Sequence, residues 1–309
     1  MARLDSPFPP HHRNCPLGGI VLPPMQIAGL LDGDATIVVS RLGGSPSPRP
    51  RIVVATRDDD PTPFALWSSV LQLRGSPLGW LRRRAELRRN EWVLDDPRQI
   101  IELTDWLVST PPLAPRSECL IDIARAASTI ILSRHAGTPA GDADLAALVA
   151  ASREVSRSPQ PLPASPQLTS ATDEQIAWSL SGLIAADGSL ALRNRKARYA
   201  PVMALSQRSD NRALLQAYVD RLGLGDLIVQ GTQVSLRVTR LDDCQRLAEM
   251  VRGHPFPTSS PRSRQFDVWM SAVAMRGTRP GSSADMSAAF ENLRRAKRYA
   301  GPRLLCSCR

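Results

Sequence analysis

The chain has little of what membrane, secreted and zinc-binding proteins usually need. No apolar run among its 309 residues is long enough to cross a bilayer, so we expect no membrane association. Its five cysteines are scattered and odd in number, which argues against a disulfide framework and favours a reducing, intracellular compartment. The bacterial cytoplasm and an organelle matrix fit this argument equally well. The four histidines have no spacing typical of a metal site.

Lysine is nearly absent from the sequence. Lys196 and Lys297 are the only lysines among 39 lysine and arginine residues, so arginine supplies almost all of the positive charge. The formal net charge of +10 favours a polyanionic partner. Arginine suits the recognition of phosphate and guanine, although a GC-rich gene would produce the same bias.

One nine-residue pattern occurs twice. Residues 27–35 read IAGLLDGDA, and residues 180–188 read LSGLIAADG, with an aspartate at the eighth position of each copy. The copies lie roughly 150 residues apart, which is the length of a domain. A single copy could be a buried helix that runs into a turn. Two copies, each followed by similar predicted strands and helices, indicate two related halves.

Both copies are predicted helices with small residues on one face. Gly29 and Gly33 in the first copy, and Gly182 and Ala186 in the second, lie one helical turn apart. Glycine inside a helix costs about 1 kcal/mol relative to alanine, so its presence suggests that two helix backbones approach closely.

Close packing of the two helices would bring Asp34 and Asp187 together at the helix C-termini. Two carboxylates at the negative ends of helix dipoles repel each other unless a cation binds between them. Mg2+ or another divalent cation suits such oxygen ligands and metal-assisted hydrolysis of a phosphodiester. The alternative is that both aspartates only accept hydrogen bonds from local turns.

The two copies resemble the signature motif of the LAGLIDADG homing endonucleases, and the resemblance covers most of the chain. It implies an α+β fold of two pseudo-symmetric αββαββα halves, packed through the two motif helices, with an antiparallel sheet in each half forming a DNA-binding saddle. We divide the chain accordingly into a flexible arm, a first half, a linker rich in Ala, Pro and Ser, a second half and a tail, at residues 1–22, 23–135, 136–170, 171–300 and 301–309.

The resemblance also implies catalytic residues around Asp34 and Asp187, which would bind the metal. Gln207 matches a position where the family often has a polar residue near the scissile phosphates, and Arg57 is expected at the equivalent place in the first half. The family usually has a basic residue, most often lysine, just before its last helix. Arg116 fits that position in the first half. In the second half the nearest candidate is Arg262, in a segment about two residues longer than usual.

The two motifs differ from each other and from the family pattern. The first motif has Asp32 where the second has Ala185, and it ends in Ala35 where glycine is usual in the family. These departures leave room for an asymmetric or weakened site.

Basic residues on and beside the predicted strands are candidates for DNA contact. Alternation predicts that Val234, Leu236 and Val238 face the core while Arg237 points outward, where an arginine could read guanine. A merely solvated face is the alternative for these positions. The run of residues 82–89 could likewise be a solvated helix face or a DNA-facing ribbon. The predicted contact residues are Arg41, Arg57, Arg193, Arg195, Lys196, Arg198 and Arg237.

These features predict a monomeric, site-specific endonuclease that acts on double-stranded DNA. Two diverged halves should read two different half-sites, so the target should be long and only partly palindromic. An RNA-binding intron maturase and a non-catalytic DNA-binding protein are the alternatives on the same scaffold. The presence of both motif aspartates favours the enzyme, as expected for intron homing.

Overall fold

A computed structural model describes residues 21–41, 47–136, 141–195, 198–257, 260–278 and 283–298. The first half consists of α1 (Pro24–Asp34), β1 (Ala35–Ser40), β2 (Arg49–Arg57), α2 (Thr62–Arg74), β3 (Trp80–Arg84), β4 (Arg89–Leu94), α3 (Pro97–Leu107), α4 (Pro115–His135) and α5 (Asp142–Arg157). After the short helix α6 (Pro166–Ser170), the second half consists of α7 (Asp173–Asp187), β5 (Gly188–Arg195), β6 (Arg198–Arg208), α8 (Arg212–Leu222), β7 (Asp226–Gln230), β8 (Gln233–Val238), α9 (Leu241–Gly253), α10 (Pro261–Thr278) and α11 (Ser283–Lys297).

The two halves have the same topology. Each contains a four-stranded antiparallel sheet, in the order β1-β2-β4-β3 in the first half and β5-β6-β8-β7 in the second. The basic run at residues 82–89 forms β3, a short 3-10 turn and the start of β4, so it is a ribbon and not a helix. The predicted α+β fold of two pseudo-symmetric halves is confirmed.

Helices α1 and α7 pack against each other between the two hydrophobic cores. A Cβ atom added to Gly29 would overlap the backbone carbonyl of Ser179, and one added to Gly182 would overlap the carbonyl of Gln26. The two helices therefore meet backbone to backbone, which explains why glycine stands inside both. Each helix ends at its motif aspartate because the next residue is already extended.

Helix α5 occupies the middle of the segment that we expected to be a linker. Leu145 and Val149 bury their side chains in the core of the first half. The hydroxyl of Ser152 accepts a hydrogen bond from the Val39 N–H at 3.2 Å, on the edge strand β1. Residues 136–170 thus contain a helix that completes the first half, in the way that α11 packs on the second.

Strands β1 and β2 alternate between buried and more exposed positions. Val234, Leu236 and Val238 are fully buried, as predicted, and they face the helices. In the part of the chain that the structure describes, no helix is both long and apolar enough to cross a membrane.

Candidate active site

Asp34 and Asp187 are the last residues of the two packed helices, and a different set of neighbours shifts the pKa of each. The pKa of the Asp34 carboxyl is raised to about 7, mainly by burial and then by the charges of Asp187 and Asp60, while the charge of Arg262 opposes the rise. Asp187 is more exposed, and only partial desolvation raises its pKa, opposed by a hydrogen bond from Gln207 and by Arg262. The two predicted metal ligands therefore lie close enough for the charge of Asp187 to affect the pKa of Asp34, and Arg262 acts on both.

A cavity of about 210 Å3 opens beside Asp34. Arg262 lines it at the start of α10, and its Nη1 donates a hydrogen bond to the Gln265 side chain at 2.8 Å. Burial lowers the pKa of the Arg262 guanidinium, while the charges of Asp60, Asp34 and Asp187 raise it. The other lining residues are Thr56, Arg57, Asp60, Ala185, Ala186 and Pro261.

Gln207 lies on the other side of the pair, beside Asp187. Its Nε2 donates a hydrogen bond to Asp187 Oδ2, and its Oε1 accepts one from Asn211 Nδ2 at 2.9 Å. Because both ends of the amide are engaged, its nitrogen stays directed at the carboxylate. The sequence prediction selected Gln207 and missed Asn211, which carries no signal except its position after the strand.

Strand register shows which residues are equivalent in the two halves. The residue after each motif aspartate pairs with Val54 in the first sheet and with Leu205 in the second. Counting along β2 and β6 from these pairs makes Thr56, and not Arg57, the counterpart of Gln207. The predicted equivalence of Arg57 and Gln207 is wrong by one residue, because the buried alternation of β2 ends at Val54 and leaves the last three positions of the strand without a pattern.

The true counterpart of Arg57 is Arg208, and both form the same kind of ion pair. Arg57 bonds to Asp59 at 2.5 Å, and Arg208 bonds to Asp210 at 3.0 Å. In each half an arginine at the end of the strand is thus neutralised by a buried aspartate two residues later.

Arg116 and Arg262 are related by the pseudo-symmetry, since each follows the proline that begins its helix. The side chain of each arginine also reaches residues of the opposite half. Arg116, from the first half, lies 3.6 Å from Asp210 of the second half, and Arg262, from the second half, lines the cavity beside Asp34. The extra length before α10 therefore does not displace Arg262.

Asp32 is a buried group that the resemblance did not explain. Its Oδ2 accepts hydrogen bonds from the backbone N–H groups of Leu113 and Ala114, at 3.0 and 3.1 Å. Burial raises the pKa of its carboxyl to about 7. Because these amides directly precede α4, Asp32 holds the start of the helix that carries Arg116.

Solved structures provide the comparison. The LAGLIDADG meganuclease I-AabMI bound to uncleaved DNA has a TM-score of 0.69 and 14% identity, covering 90% of this chain and 100% of its own. I-SmaMI bound to uncleaved DNA with calcium has a TM-score of 0.68 and 15% identity, covering 89% and 98%. I-GzeII in complex with its DNA target has a TM-score of 0.68 and 11% identity, covering 89% and 97%.

The chain has the LAGLIDADG homing endonuclease fold. The resemblance inferred from the two nine-residue motifs is thereby confirmed. No protein-family model matches the sequence, and no curated protein matches it either.

In the LAGLIDADG fold of this chain, the outer face of the second sheet carries several of the predicted contact residues. Register puts Arg193 and Arg237 on that face, and Arg195 pairs with Arg198 at the end of the hairpin. Lys196 lies outside the described residues. Arg57 ends β2 beside the cavity. Arg41 is separated from them, because it lines a cavity with Leu145 and other residues of α5.

The outer face of the first sheet carries a cluster that the sequence prediction did not resolve. Arg82 donates two hydrogen bonds to Glu91, and Arg84 lies 3.8 Å from the same carboxylate. Arg82 also lies over the Trp80 ring, with its guanidinium carbon 5.1 Å from the ring centroid. In the second sheet, Ser235 occupies the position of Glu91 and bonds to Ser206 at 2.8 Å.

Proposed function

We propose that the protein is a site-specific endonuclease that hydrolyses double-stranded DNA at the paired carboxylates Asp34 and Asp187. The observation that carries the proposal is this pair, held at the ends of two helices that meet backbone to backbone. Two outer sheet faces with basic residues flank the pair, as a duplex requires. The named structures with this fold include complexes with uncleaved DNA and, for I-SmaMI, with cleaved DNA.

The residues at the pair fit a hard divalent cation such as Mg2+. Both carboxyls have raised pKa values, and for Asp34 the charge of Asp187 contributes, so a cation between them would relieve unfavourable charge. No three His, Cys, Asp or Glu side chains form a ready-made metal site in the described part of the chain. Mg2+ commonly binds through one or two carboxylates and takes its other ligands from water and phosphate. When bound, it would polarise the scissile phosphate.

The remaining side chains would orient water and stabilise charge. The amide of Gln207, fixed between Asp187 and Asn211, can hold a water molecule beside the pair. Arg262 and Arg116 would stabilise the charge that develops on the phosphoryl oxygens, one on each side. Arginine is a poor proton donor or acceptor, so these residues would act by electrostatics rather than as general acids or bases.

One chain supplies both halves of the site, so we propose that a monomer cleaves one duplex. The halves differ in the residues on their outer faces, which predicts a long target that is only partly palindromic. Sedimentation with the target DNA should give one protein per duplex. A two-to-one complex as the sole cleaving species would contradict the proposal.

The central test is cleavage of a large randomised DNA library in Mg2+. The wild-type protein should cleave selected members, and Asp34→Asn or Asp187→Asn should abolish double-strand cleavage while binding largely survives. Asp220→Asn, which removes an exposed carboxylate on α8, is the matched control and should cleave normally. Undiminished cleavage by either motif variant would exclude the assignment, and tight intron RNA binding without any cleavage would favour the maturase.

A further inference from the structure

The C-terminal turn of α11 reaches the cavity beside Asp34. The backbone carbonyl of Lys297, the last residue of α11, accepts a hydrogen bond from Arg57 Nη1 at 3.3 Å. Arg57 itself lines the cavity. The last carbonyls of a helix have no partner within the helix, so a side chain from the other half can bond to them.

The same arrangement occurs on the opposite side of the molecule. Arg208, the counterpart of Arg57, donates hydrogen bonds to the carbonyls of Ser156 and Ser158 at the end of α5. Each half thus extends the end of its last helix to the strand-end arginine of the other half. The contact between α11 and Arg57 is therefore part of the fold and not an incidental approach of a terminal helix.

The side chain of Lys297 adds a third positive charge near the cavity. Partial burial and the charge of Arg262 lower the pKa of its ammonium, which means that the two cations lie close enough to repel each other. Arg57 is already paired with Asp59, and Arg262 faces Asp34 and Asp60. Although the ammonium of Lys297 is partly desolvated, the residue as a whole is exposed, so a ligand that enters beside these residues can reach the ammonium.

We propose that Lys297 is a further phosphate-contacting residue of this protein, on the Asp34 side of the site. The inference rests on the proposed nuclease function. Repulsion between Lys297 and Arg262 is relieved when an anion lies between them, and the anion that a duplex brings to the cavity is a backbone phosphate. The compact ammonium of lysine binds phosphate as a point charge, which complements the planar guanidinium of Arg262.

The experiment follows both strands of a duplex selected from the randomised library, each labelled separately. Lys297→Ala should slow cleavage of one strand about tenfold, the loss expected for one charged hydrogen bond, so that a nicked intermediate accumulates. Lys297→Arg should retain most of the rate. Arg295→Ala, which removes an exposed charge from the same helical turn, should cleave both strands normally.

Binding supplies a second measurement that does not depend on cleavage. Loss of one phosphate contact should reduce the slope of log affinity against log salt by about 0.9 in Lys297→Ala, and leave it unchanged in Lys297→Arg. Equal slowing of both strands, or the same effect in Arg295→Ala, would overturn the inference. A wild-type protein that cleaves no DNA would instead overturn the proposed nuclease, and the salt slope would still test Lys297.

Discussion

The ends of β2 and β6 occupy equivalent positions in the two halves and carry different chemistry. Beside Asp34 the first half presents Thr56 and the acidic Asp60, while beside Asp187 the second half presents two amides, those of Gln207 and Asn211. The first side therefore concentrates negative charge, whereas on the second side the carboxylate accepts a hydrogen bond from the neutral amide of Gln207, which Asn211 holds in place. Backbone geometry has stayed symmetric where the helices touch, whereas the side chains that would face DNA have diverged.

The loops that lead into α4 and α10 are also held differently. Asp32 anchors the first through two backbone N–H groups, whereas Ala185, at the corresponding position of the second motif, offers no acceptor. The loop before α10 is held by its carbonyls instead: Gln26 of α1 donates a hydrogen bond to the Pro255 carbonyl at 2.6 Å, and Ser181 of α7 donates one to the His254 carbonyl at 2.7 Å. Two different sets of hydrogen bonds thus position the equivalent residues Arg116 and Arg262.

The largest expected effect tests the symmetric contact between helices α1 and α7. Gly29→Ala and Gly182→Ala should each lower the free energy of unfolding by about 3 kcal/mol, because the new Cβ overlaps a backbone carbonyl of the facing helix. Gly253→Ala, at the end of α9 with no atom within 4 Å of the added Cβ, should change it by less than about 1 kcal/mol. Chemical denaturation measures all three. Unequal losses at Gly29 and Gly182 would show that the helix contact is not symmetric.

A smaller effect on stability tests how Asp32 holds the loop before α4. Asp32→Ala leaves two buried N–H groups without an acceptor, which should cost about 2–3 kcal/mol of stability. Asp32→Asn keeps an oxygen acceptor and removes only the charge, so it should unfold close to the wild type. Thermal and chemical denaturation check both variants. If Asn were as destabilising as Ala, the charge and not the hydrogen bonds would hold the loop.

The difference between the motif carboxylates should appear in the pH dependence of stability. The folded pKa of Asp34, about 7, lies above its unfolded value, so the folded state binds the extra proton and the free energy of unfolding falls as pH rises from about 4 to about 7. Without metal, Asp34→Asn should be more stable than the wild type at pH 8, on the order of 1–2 kcal/mol after allowance for solvent screening.

Asp187→Asn should gain less, because the hydrogen bond from Gln207 already opposes the rise in its pKa. Denaturation at pH 5 and pH 8 with a chelator gives both values. Added Mg2+ should raise the melting temperature of the wild type more than that of either variant. A loss of stability at pH 8 in Asp34→Asn would contradict the charge difference between the two sides.

The smallest effect concerns the outer sheet faces. Arg82→Ala should relax base preference in one half-site by about 1 kcal/mol, the low end for a guanine contact, because two of its donors are held by Glu91. Arg237→Ala should relax preference in the other half-site. Competition binding across a base-substitution library distinguishes the two. Equal weakening on every sequence would assign the arginine to phosphate contact instead.

The sequence by itself determined the repeated motif helices, the aspartates at their ends and the alternation of β8. These features depend on spacing within one element, which the chain carries locally. Asp34 and Asp187 are therefore recognisable as candidates from the motifs alone, and the family resemblance of those motifs extends the set to Gln207 and Arg262.

Only the tertiary structure decided which residues meet across the molecule. The counterpart of Gln207 is Thr56 because of strand register, and Asp60 reaches the cavity because the chain turns after β2. Arg116 and Arg262 exchange halves, and Lys297 contacts Arg57 although 240 positions separate them in the sequence. Such contacts depend on packing between distant segments, and no local pattern in the sequence encodes them.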